Sequence, residues 1–87
     1  MNSHSTTPVV DQVRRIASDL LGVPLVDVNV TSSPKTISSW DSTMHLNLVL
    51  AIEEQFEVQL SPEEIEGMHS IGEAAAMLEK KLATAER

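Results

Sequence analysis

Apolar residues recur at three- and four-residue spacing in three stretches of the chain, each bounded by residues that start or stop helices. Val9, Val10, Val13, Ile16, Ala17, Leu20 and Leu21 make the first. Pro8 suits its first turn, Gly22 and Pro24 end it, and Arg14 and Arg15 fall on its wet side. The second and strongest runs from Ser42 to Phe56 or Glu57, with either Asp41 or Ser42 as its cap. Ser70 caps the last, with Glu73 at the spacing of a capping box, Ile71, Ala74, Ala75, Leu78 and Leu82 facing inward, and Lys80 and Lys81 at the negative end of the dipole. Before it, Ser61-Pro62-Glu63-Glu64 opens a short helix that ends near Gly67 or Met68. The pattern predicts an all-α four-helix bundle, with three main helices and a short third one.

Two stretches lack the helical period. Met1 to Thr7 is polar and aperiodic, which predicts a disordered leader (residues 1–7) ahead of a single domain over 8–84. From Gly22 to Asp41, Pro24, Pro34 and a Ser/Thr cluster interrupt Leu25, Val26, Val28, Val30, Ile37 and Trp40. A connection this long between helices one and two is expected to pack or to work. The alternation of Val26, Val28 and Val30 also admits a short strand, though no second strand is available to pair with it. Trp40 suits an anchor of the loop on the bundle better than a contact for cargo.

Helical geometry divides the second helix into two faces. At about 100 degrees per residue, His45, Leu48, Val49, Ile52 and Phe56 share a core stripe. Leu46 and Leu50 fall on a second face with Ser42, Thr43, Asn47, Glu53, Glu54 and Glu57. That leucine pair either packs on the long loop or forms a docking surface, apolar at the centre and acidic at the edge.

Composition narrows the classes of function. Aromatics are 2% of the 87 residues, so the core must come from aliphatic side chains, with Met44, Met68 and Met77 filling gaps. Cysteine is absent, which excludes a disulfide framework and means that any thiol chemistry needs an added group. No apolar run approaches the roughly 18–20 residues of a membrane span, and the polar start does not read as a signal peptide, so a cytoplasmic protein is expected. The net charge of -7 argues against nucleic acid and anionic membranes. No Lys or Arg occurs between Lys35 and Lys80, a stretch holding nine acids from Asp41 to Glu79. Such a one-signed middle suits basic partners.

Other chemistry is poorly supported. Ser42 and His45 are three apart on a helix, but no third group or Gly-rich oxyanion turn accompanies them, and His45 reads better as bordering the core beside Trp40. His4, His45 and His69 lack metal-site spacing. Asp-Ser at a helix start is, by itself, an ordinary cap; a helix N-terminus is also a place where a phosphodiester is tolerated.

The segment Trp40-Asp41-Ser42-Thr43-Met44-His45-Leu46-Asn47-Leu48-Val49, then Ala51-Ile52-Glu53-Glu54-Gln55-Phe56 and Ser61-Pro62-Glu63-Glu64-Ile65, resembles the acyl carrier proteins. The likeness is sustained from about Trp40 to Leu82. It implies that Ser42 is esterified by 4'-phosphopantetheine from coenzyme A, in a reaction run by a separate phosphopantetheinyl transferase, with Asp41 helping to organise the metal-dependent site. It also implies a partner-recognition role for Thr43, Leu46, Asn47, Leu50, Glu53, Glu54 and Glu57. The protein itself would be no enzyme but a monomeric carrier, serving acyl-loading and acyl-transfer or condensing enzymes with basic docking patches.

Two departures stand out from that family's pattern. Thr43 replaces the usual Leu after the serine, which would weaken contact with the transferase, and Met44 and Asn47 occupy positions where fatty-acid-synthesis carriers commonly have acids. The wording looks more like a discrete carrier of a fatty-acid-like, polyketide or other specialised pathway than a housekeeping carrier. A long acyl chain could be sheltered only if the small side chains around Ala74, Ala75, Ala76 and Met77 let the core part. An aminoacyl or peptidyl carrier is the near alternative, and a helical adaptor with no prosthetic group the distant one.

Overall fold

The computed structural model describes residues 8–85, with side chains through residue 83, so the expected leader lies outside the described residues. Four α-helices follow in order: α1 (Val9–Leu21), α2 (Ser42–Phe56), α3 (Pro62–Glu66) and α4 (Ile71–Ala85). Helix α1 packs against both α2 and α4. Its Val13, Ala17 and Leu21 meet Leu48, Val49 and Ile52 of α2 and Ile71, Ala74, Ala75 and Leu78 of α4 in one core. Each large side chain removed from water there contributes about 1.5–3 kcal/mol. The all-α bundle is as expected, with Pro8 placed just before the first turn rather than inside it.

The segment between α1 and α2 is ordered by contacts that the periodicity does not reveal. Among the described residues it holds no strand: Leu25–Asp27 form a turn of 3-10 helix instead. Val28, Ile37 and Trp40 are buried in the core. Arg14 is not a solvated side chain as expected, because its guanidinium reaches across to donate to the Val28 and Leu25 carbonyls. Ser39 Oγ donates to the Leu21 carbonyl at 2.7 Å, closing the end of α1. At the far side, the Ile71 and Gly72 amides donate to the Ser32 and Val30 carbonyls at 3.0 and 2.9 Å. Gly72 suits that approach, since a Cβ there would stand 3.1 Å from the Val30 oxygen, a tight contact that the loop would have to relieve by shifting.

Helix termini follow the expected chemistry, with two changes, the first being that α4 runs on to Ala85, so Lys80 and Lys81 lie before its last turn rather than at the negative end of the dipole. Ser61 and Glu64 form a complete capping box at α3. At α4 the Glu73 amide donates to Ser70 Oγ as expected, but the Glu73 carboxylate accepts from the His69 amide, one residue before the cap.

Candidate functional site

The cap of α2 decides the state of Ser42. Asp41 Oδ1 accepts the Met44 amide at 2.9 Å, so Asp41 is the cap and Ser42 is the first helical residue. An N-cap serine spends its oxygen on the helix's own amides. Relieved of that task, the exposed Ser42 hydroxyl makes no hydrogen bond among the described residues. It stands beside the positive end of a 15-residue helix.

An open groove of about 950 Å³ adjoins it. Trp40, Asp41, Ser42, His45 and Leu46 form one wall, Ile65, Met68 and His69 the other, and Lys35 brings a cation from the preceding loop. Trp40 anchors the loop, as expected, and is buried; its indole N–H donates to His45 Nδ1 at 3.0 Å, and His45 Nε2 meets the Ile65 carbonyl at 3.1 Å. His45 is therefore engaged on both ring nitrogens and is not a base for Ser42.

The second face of α2 is a surface. Leu46 and Leu50 are 57% and 62% exposed, so neither packs on the long loop. Thr43, Asn47 and Glu54 share this exposure. Glu53 is only half-buried and is committed locally, its Oε2 accepting the Leu60 amide at 2.9 Å. Glu57 ends the helix in the left-handed region at φ 56, with its side chain exposed. Thus Ser42, Leu46, Leu50 and Glu54 are brought together on open surface, while Glu53 also shapes the turn towards α3.

Helix α3 is tied to α4 by Glu64, which takes the Ser61 amide at 2.8 Å and pairs with Lys81 at 3.1 Å. The Ser61 amide first, and then Lys81, hold the Glu64 carboxyl below the usual carboxylate range. Neither the Trp40–His45–Ile65 bridge nor the role of Arg14 was foreseen from the pattern; both join side chains to backbone far along the chain.

A free, exposed serine hydroxyl at a helix start, opening on a groove with apolar walls, fits a long thiol-tipped arm joined by a phosphodiester. The family model described as "phosphopantetheine attachment site" matches residues 11–78. Among solved structures, the chain resembles the solution NMR structure of a holo acyl carrier protein from Nitrosomonas europaea. The TM-score is 0.76 and the identity 27%, over 88% of this chain and 99% of that one. With the free serine, the groove and this match across most of its length, the chain belongs to the phosphopantetheine attachment family, as a carrier domain of the acyl carrier protein type that bears a covalent 4'-phosphopantetheine and is not an enzyme.

Proposed function

We propose that Ser42 is the attachment residue and that the domain over residues 8–84 carries acyl groups for a specialised biosynthetic pathway. The observation that carries the first part is the Asp41 cap, which leaves the Ser42 oxygen free and exposed. When bound, the arm supplies a thiol that holds an acyl group as an activated thioester. The chain's own residues do the rest. Asp41 fixes the helix start and presents its carboxylate beside the hydroxyl that the transferase must reach. Leu46 and Leu50 offer apolar contact, with Thr43 and Asn47 beside them, and Glu53, Glu54 and Glu57 steer basic partners by long-range attraction. A flexible arm turns each encounter with a loading, transfer or condensing enzyme into high local concentration at its active site.

Among the described residues no helix is long and apolar enough to cross a membrane, which fits the proposed cytoplasmic setting. Thr43 in place of Leu, and Met44 and Asn47 in place of acids, support a discrete carrier with its own transferase and condensing partners over a general one.

Intact mass after incubation with coenzyme A, magnesium and a broad-specificity transferase tests this reading. A gain of roughly 340 Da, the mass of the arm, is expected and should vanish in Ser42→Ala. An unchanged mass, or a gain that survives the substitution, contradicts it.

A further inference from the structure

The opening between α2 and α3, beside Ser42, is crossed by a polar bridge. An indole N–H can only donate, so His45 Nδ1 is the acceptor of the 3.0 Å bond from Trp40. The proton of the neutral ring then lies on Nε2, aimed at the Ile65 carbonyl of α3, 3.1 Å away. The two rings are nearly parallel, 21° apart with centroids 6.1 Å apart, as suits an in-plane bond between them. Helix α3 has five residues, too few to persist unaided, and beyond its own cap it is held by Lys81 on one side and His45 on the other. The floor of the groove is sealed by Trp40 and Met68, each 2% exposed. Behind it, Leu48, Ile52, Ile71 and Leu78 are packed without exposure.

We propose that His45 is a positioning residue that pins α3 to α2 and shuts the core to tethered cargo, so that an acyl chain on Ser42 lies in the outer groove against Leu46, Ile65 and Met68. This rests on Ser42 being the attachment residue. A long alkyl chain gains nothing from a core it cannot reach, whereas the groove sets Lys35, His69 and Glu66 beside its apolar wall. The cargo class that fits is a short or polar acyl group.

The test loads the full-length protein with acetyl and with decanoyl thioesters of the arm, and follows thermal midpoint and methyl NMR shifts. The two loaded forms should melt within about 2 °C of each other, because a chain lying along an open surface groove stays largely in water and stabilises the native state far less than one buried in the core. Leu46, Ile65 and Met68 methyls should move on decanoylation while those of Ile52 and Leu78 stay. A decanoyl midpoint more than about 5 °C above the acetyl one, or shifts at Ile52 and Leu78, overturns the proposal. The pin itself is read without cargo, by amide exchange in Trp40→Phe and His45→Ala. Exchange at Gly67 and Met68 should rise about tenfold or more with α1 amides unchanged, and unaltered exchange at those positions overturns the pin. Loss of the mass gain on Ser42 would instead sink the attachment reading and the cargo placement with it, leaving the exchange result to judge the pin alone.

Discussion

Leu48 lies between Leu46 and Leu50 on one helix, and the three side chains have opposite environments. Leu48 has no exposure and meets the core, whereas Leu46 and Leu50 are 57% and 62% exposed. The same residue type therefore serves folding on one face of α2 and is spare for folding on the other. Apolar side chains left on the outside of the helix that begins with Ser42 are what a docking surface requires, and the small cost of exposing them is a condition of that use.

Breaking the inner face should have the largest effect. Leu48→Ala is expected to lose about 2–5 kcal/mol, read as a drop in the denaturant midpoint at constant slope. Next comes the point where the two faces meet: Asp41→Ala removes the cap and should cost about 1 kcal/mol. The remaining sensitivity lies at α3. Glu64 has a lowered folded pKa, so its stabilisation is fully present above the ordinary carboxyl value of about 4.3 and is lost as pH falls through the folded value. The difference in thermal midpoint between the wild type and Glu64→Gln should accordingly be constant near neutrality and shrink below that pH. The outer face should matter least for stability. Leu46→Ala with Leu50→Ala is expected to stay within about 0.5 kcal/mol of wild type. The same pair should lower transferase kcat/KM about tenfold, equivalent to roughly 1.4 kcal/mol of lost contact. Stability falling as much as for Leu48→Ala would erase the distinction between the faces.

Features written in local sequence were readable in advance. The periods of α1, α2 and α4, the Ser61/Glu64 box and the two faces of α2 depend on residues within a few positions of each other, so pattern alone reaches them. The choice between Asp41 and Ser42 as cap was open, because both can accept an amide and only the backbone at Asp41 decides. Arg14 was read as solvated because its helix face looks polar, yet the long side chain reaches loop carbonyls 11 and 14 residues away. The bridge from Trp40 through His45 to Ile65 was hidden for the same reason: its last bond spans 20 residues and ends on a carbonyl, which no side-chain pattern marks. The ordering of the long segment before α2 belongs with these, since its ties run to α1 and to the start of α4.

The most direct measurement is fragmentation mass spectrometry of the transferase-treated protein, with the roughly 340 Da addition assigned to one residue. Ser38, Ser39, Ser42 and Thr43 all present hydroxyls within six positions, so the assignment discriminates. The addition should sit on Ser42 alone. Its appearance on Ser38, Ser39 or Thr43, or on no residue, would contradict the account.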